Sequence, residues 1–294
     1  SLFSGPRSTD PLKAFLKKAP EGALLRDAYR RLAGYYRYSG TKEDASKFFA
    51  EFSARYPEDA YAYDSWVGRI LQDRQSQNAD KGIELIEKIR ELLTYNPDQA
   101  ALSRNLADLY MLKGDQDKAR DNYGERFMNR QIGLLTSNLV QYASFWMDKN
   151  ANLESALSAV EMALKLEPDM IYVLQTAAGV YMKLGRESQA LSIYGPEFAR
   201  KNNDKAGPLY GYARFWLMRD KNLESALNAA RRSVELDTGT WFYWDTLAGL
   251  EAKFKNFAAA VKAGEKAVET ADEETKPSMP VSYTHLTLPT NREV

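Results

Sequence analysis

The chain has 294 residues, 44% of them hydrophobic and 27% charged, a balance that fits neither a disordered chain nor a membrane-embedded one. Forty Lys plus Arg offset forty Asp plus Glu, so no general attraction draws it to nucleic acid or to an anionic membrane. The absence of cysteine removes disulfides, thiolate nucleophiles and Cys-based metal sites, and no apolar run approaches the roughly 20 residues that span a bilayer.

Helix formers recur throughout, and alternating Val-, Ile- and Thr-rich stretches are nearly absent before residue 281, which predicts an all-α protein. Residues 1–9 read as a linker. Ser8-Thr9-Asp10-Pro11 is a helix-start signal, and LKAFLKKAP runs from it to a stop at Pro20. Residues 10–25 therefore read as the end of an incomplete upstream repeat.

From Arg26 onward the chain repeats itself. YASFWMDKNANLESALSAVEMALKLEPD begins at Tyr142, and its relative YARFWLMRDKNLESALNAARRSVELDTG begins at Tyr212. TAAGVYMKLGRESQAL at Thr176 recurs as TLAGLEAKFKNFAAAV at Thr246. Seven repeats of about 35 residues fill 26–272, starting near 26, 61, 100, 136, 171, 206 and 241. The first carries Tyr29, Leu32, Ala33, Tyr36, Gly40, Ala45, Phe49 and Pro57. The second has Gly68, a polar insertion QDRQSQNAD between its helices, and Gly82 where Ala is usual. The third carries Leu106, Ala107, Tyr110, Gly114, Ala119 and Tyr123, and the fifth Leu174, Ala177, Ala178, Tyr181, Gly185, Ala190 and Tyr194. The fourth and sixth place Trp146 and Trp216 where Tyr is usual, with Ala156 and Ala226 one residue late. Trp244, Leu247, Ala248 and Ala260 mark the seventh.

This pattern resembles the tetratricopeptide repeat, large-x-x-Leu-small-x-x-Tyr followed by Ala, an aromatic and often Pro. The resemblance implies an α-solenoid of antiparallel helix pairs wound as a right-handed superhelix. The spacing has a physical cause. Large, Leu and small positions at i, i+3 and i+4 share one helix face, and Ala or Gly lets the partner helix come close. Gly40, Gly114 and Gly185 sit where first helices must stop. Thr41 with Asp44 forms a capping box, and Asn152, Asn222 and Asn256 stand at helix starts as N-caps. Pro57, Pro97 and Pro168 end second helices. Gly195-Pro196, and Gly124 at the matching place, fall within second helices and predict a break there.

Residues 273–280 end the region that reads as native. The tail 281–294, VSYTHLTLPTNREV, has no helical period and resembles a translated sequencing-adapter read-through. It holds the only histidine, His285. The chain begins at Ser1 rather than Met, so its natural N-terminus is expected to lie upstream and the compartment is left open.

No zinc-protease, nucleophile-elbow, Walker or dinucleotide motif occurs, so no catalytic residue, metal ligand or cofactor is assigned. Acidic clusters such as Asp115-Gln116-Asp117 suit helix starts. Trp146, Trp216 and Trp244 fall on core positions, whereas Phe242 and Tyr243 are less constrained. The resemblance implies that first helices line a groove that grips partner peptides. Groove positions are Arg30, Arg37, Arg69, Arg104, Asp108, Met111, Met147, Gln175, Met182, Tyr210 and Arg214. The Lys and Asn clamp of the family's chaperone-tail binders is not matched, since Gly34 and Arg69 stand at its Asn places. The expected function is a scaffold holding a protein or peptide, its groove arginines suited to an acidic partner. An accessory region of a larger enzyme is the alternative, and RNA binding is disfavoured by the neutral charge.

Overall fold

The computed structural model describes residues 10–18, 22–74, 76–93, 99–131 and 135–271. The expected linker, the stops at Pro20 and Pro97, residues 273–280 and the tail with His285 lie outside them. The chain divides into two compact units, Ser1–Asn138 and Leu139–Val294. The described residues are all-α, in antiparallel pairs as the sequence predicts.

In the first unit, α1 (Asp10–Leu16) lays Leu12 and Leu16 against the core of the first pair, α2 (Ala23–Tyr38) and α3 (Lys42–Arg55). Leu25, Tyr29, Leu32, Ala33 and Tyr36 form one face of α2 and bury against Ala45, Phe48, Phe49 and Phe52. Ring centroids of Tyr36 and Phe48 are 4.7 Å apart, and those of Tyr29 and Phe52 5.3 Å. Each such pair contributes about 0.5–1.5 kcal/mol beyond its buried area. Thr41 Oγ1 accepts the Asp44 amide at 3.1 Å, as the capping box requires. Pro57 follows the end of α3.

The second pair is α4 (Ala60–Asp73) and α5 (Ala79–Leu92). The polar insertion is shorter than the sequence suggests. Gln72 and Asp73 close α4, a 3-10 turn spans Ser76–Asn78, and α5 opens at Ala79. A methyl group at Gly82 would lie 2.7 Å from Leu109 Cδ2, so glycine lets α5 meet α6 (Gln99–Leu112) closely. α7 (Gln116–Tyr123) and α8 (Glu125–Gln131) complete the unit.

The division between units falls in the first turn of α9 (Thr136–Lys149). Its partner is α10 (Leu153–Leu166). There follow α11 (Ile171–Lys183) with α12 (Glu187–Tyr194) and α13 (Pro196–Lys201), then α14 (Ala206–Leu217) with α15 (Leu223–Leu236), and α16 (Trp241–Lys253) with α17 (Phe257–Thr270). Ala143, Ala178, Ala213 and Ala248 are fully buried, as are Trp146 and Trp216. Trp244 is only half-buried and donates its indole N–H to Thr238 O at 3.0 Å. Ala178→Leu is expected to overpack the junction and cost about 1–3 kcal/mol. Urea unfolding measures it, and an unchanged midpoint would show that this alanine does not set the helix spacing.

First helices share one ending. Gly40, Gly114 and Gly185 adopt φ of 79°, 79° and 73°. After Gly114 and Gly185, the amides of Asp115 and Arg186 return to the carbonyls of Tyr110 and Tyr181 at 2.9 and 2.8 Å. Elsewhere Asn150, Asp220 and Lys255 take the left-handed place, and the following amides close the same bond. Asn and Asp tolerate this region better than other side chains. A second left-handed residue, Asn152 or Asn222, then absorbs the extra residue that sets Ala156 and Ala226 late. These asparagines do precede α10 and α15, but they make no side-chain cap. Their Nδ2 groups instead donate to Tyr142 and Tyr212, whose hydroxyls pair with Ser155 and Ser225. Asn256 likewise turns to Glu251. At Asn152 and Asn222 the left-handed backbone points the side chain back toward the first helix, away from the amides a cap would serve.

Both predicted breaks are present. α12 stops at Tyr194 and α13 restarts at Pro196, while α7 stops at Tyr123 and α8 restarts at Glu125. Proline lacks the amide hydrogen that would continue the ladder. The glycines are needed for space: a methyl group at Gly195 or Gly124 would lie 2.0 or 2.2 Å from the carbonyl oxygen of Leu191 or Arg120.

Candidate functional site

The candidate residues divide between the units. In the first, Arg30 forks Asp59 with Nε at 2.9 Å and Nη2 at 3.1 Å, and Arg26 Nε joins at 2.8 Å. Asp59 is 2% exposed and also accepts the Tyr61 amide at 3.1 Å, capping α4. Burial pushes its carboxyl up, but the bonds from Arg30 and Arg26, the Arg30 charge and the Tyr61 amide outweigh it and hold the group below the usual range. Arg37 Nη1 reaches Asp64 at 2.8 Å. Its guanidinium crosses Gly68, where a methyl group would lie 2.4 Å from Nε.

Arg69 is 8% exposed. It donates to the carbonyls of Tyr36, Ser39 and Gly40 at 3.0, 2.7 and 3.1 Å, and Nε reaches Asp73 at 3.0 Å. Arg69 thus satisfies the carbonyls that the end of α2 leaves without helical partners. Arg104 is exposed on α6, with Asp108 and Met111 half-buried on the same helix. Arg104 and Asp108 also interact with other groups.

In the second unit the first helices meet through glycine. A methyl group at Gly179 would lie 2.7 Å from Met147 Sδ, one at Gly211 3.0 Å from Gln175 Nε2, and one at Gly249 3.1 Å from Leu217 Cδ2. These contacts bring Met147, Gln175 and Leu217 onto neighbouring first helices. Gln175 Nε2 donates to the Tyr194 hydroxyl at 2.8 Å, and burial pushes that phenol far up, so it stays neutral. Tyr210 packs on Phe242 and Tyr243, each at 4.9 Å between centroids, and its hydroxyl accepts from Arg214 Nη1 at 3.0 Å. Met182 packs at the rim of the unit's core.

Sequence reasoning missed Arg219, just past the end of α14. Its guanidinium lies 3.6 Å from the centroid of the Phe215 ring, and Nη1 donates to Phe215 O at 3.0 Å. The i, i+4 spacing to Phe215 was a signal, but the repeat pattern assigns that position to no contact. Among the described residues no three His, Cys, Asp or Glu side chains gather where they could hold a metal, and no helix is long and apolar enough to cross a membrane.

No family model matches the sequence, and no curated protein does. Solved structures do. Yeast Tom70 superposes with a TM-score of 0.52 at 15% identity over 95% of this chain, which spans about half of that one (49%). The C-terminal part of a TPR repeat-containing protein from Cytophaga hutchinsonii gives 0.48 at 15% identity, covering 87% of this chain and 98% of that one. A tetratricopeptide repeat protein from Parabacteroides merdae gives 0.47 at 12%, covering 87% and 97%. The fold is the tetratricopeptide-type helical repeat.

Proposed function

We propose that the chain is a protein-binding repeat module, not an enzyme, and that it holds an extended or helical segment of a partner against its first helices. The carrying observation is the row on the second unit, where Met147, Gln175, Met182, Tyr210 and Leu217 are half-buried on helices drawn together by glycine. Unbranched methionine and amphipathic tyrosine adapt to varied partner side chains. On the first unit Arg104, Asp108 and Met111 occupy the corresponding face of α6. Arg30, Arg37 and Arg69 serve this function indirectly, by fixing α2 against α4.

Photo-reactive residues placed at Tyr210 and Arg214, and at Ser158 and Asn228 on second helices, test this in a lysate of the source cells. Cross-links to discrete polypeptides from Tyr210 and Arg214, and few from Ser158 and Asn228, are the expected result. Capture from the second-helix positions alone would move the binding face.

A further inference from the structure

We propose that Arg219 is an anion-recognition residue, taking a carboxylate of the bound polypeptide on the edge of its guanidinium beside Gly179 and Met147. The proposal deepens the protein-binding reading and rests on it.

Four cations of the second unit pair with carboxylates across helices: Arg186 with Glu154, Lys221 with Glu187, Arg231 with Glu251 and Lys253 with Asp220. Arg219 does not join them. Among the described residues no carboxylate pairs with it, and Asp220, next to it in the chain, is turned to Lys253 at 2.8 Å. Yet Arg219 is half-buried, and burial draws its guanidinium down from its ordinary value. A cation withdrawn from water without a counter-charge is costly. Stacking on Phe215 and one bond to Phe215 O offset only part of that.

The geometry of the remaining donors sets the ligand. With Nη1 engaged on the carbonyl, Nε and Nη2 stay as an adjacent pair, the fork that matches both oxygens of one carboxylate. Nη2 stands 3.3 Å from where a methyl group on Gly179 would be, and Met147 Sδ borders the same point. The missing side chain of Gly179 on α11 thus makes room for the guanidinium itself and for Met147 from α9, and Phe215 holds the guanidinium plane. The guanidinium lies beside the place where Met147 of α9 meets Gly179 of α11. The carboxylate comes from an acidic side chain or from a chain terminus of the partner.

The test follows the Arg219 Nε–H resonance in protein labelled with 15N-arginine, assigned by its loss in Arg219→Lys. Three peptide probes are titrated at low salt: acetyl-Ala-Glu-Ala-amide, its Gln counterpart, and acetyl-Ala-Ala-Ala with a free carboxyl end. Inorganic phosphate is the fourth probe. The Glu peptide is expected to shift the signal saturably and the Gln peptide to leave it in place. The free-end peptide shows whether a terminus serves as well. Gly179→Leu, which needs the space that Met147 and the guanidinium occupy, should displace the fork and weaken the response to the Glu peptide about tenfold, the scale of one charge-assisted bond. Arg219→Lys keeps the charge and the fold without the fork, and should lose about as much affinity in calorimetry. A signal indifferent to both carboxylate probes, or responsive to phosphate alone, overturns the proposal and leaves Arg219 a cap on the end of α14. Because the readout sits on Arg219, it is separate from the cross-linking result. Carboxylate binding without first-helix cross-links would sink the protein-binding reading alone.

Discussion

Replacing Trp216 by Ala is expected to destabilise the second unit by about 3–5 kcal/mol, the scale for deleting a fully buried large aromatic. The indole fills the core between Tyr212, Phe215 and Tyr194, and it also donates Nε1–H to Tyr194 O at 2.8 Å. That bond answers a need created by the break in the second helix. In an unbroken helix the Phe198 amide would reach Tyr194 O, but here it bonds Gly195 O at 3.0 Å. A buried carbonyl left without a donor costs about 1–3 kcal/mol. Trp216→Phe, which keeps a ring and removes the donor, should therefore lose about that much. Urea unfolding followed by circular dichroism, with hydrogen exchange across residues 190–216, separates the effects. A Trp216→Phe protein as stable as wild type, with unchanged exchange after Tyr194, would show that the indole bond does not hold the break.

Asp59→Ala is expected to cost about 2–3 kcal/mol in the first unit, through loss of the cap on α4 and of the charge that holds Arg26 and Arg30. The arginines are 35% and 48% exposed, so their own share is screened and the figure stays below that of a fully buried pair. Asp59→Asn can still accept from the Tyr61 amide, so it should lose less than Ala does. The folded carboxyl lies below its unfolded value. Its contribution is therefore fully present above about pH 4 and is lost as the pH falls through the folded pKa. Wild-type stability should decline on acidification below about pH 4, and Asp59→Ala should decline less steeply. Parallel acid limbs for the two proteins would remove Asp59 from the linkage.

Much of the fold was legible in the sequence because its determinants are local. Leu25, Tyr29, Leu32 and Tyr36 declare one helix face by spacing, and Gly40, Gly114 and Gly185 declare its end by their backbone freedom. Gly195-Pro196 declares the break by a missing donor, and the recurrence of these signs from Tyr142 to Tyr212 declares the repeat. Each rule needs only residues a turn or two apart, so the order of residues by itself determined the helix pairs, their stops and the fully buried Ala143, Ala178, Ala213, Trp146 and Trp216.

What the tertiary structure alone decided is the fate of the long polar side chains. Spacing placed Arg30, Arg37 and Arg69 together on one face, but their partners are Asp59, Asp64 and the carbonyls of Tyr36, Ser39 and Gly40, all on the neighbouring pair. Asn152 and Asn222 stood at helix starts, yet their left-handed backbone aims them at Tyr142 and Tyr212. Arg219 gave only its i, i+4 spacing to Phe215, because Gly179 and Met147 join it only when α9, α11 and α14 are side by side. An arginine has several acceptors within reach in sequence, and which one it takes depends on burial and on carbonyls left open elsewhere, quantities that exist only once the helices have packed.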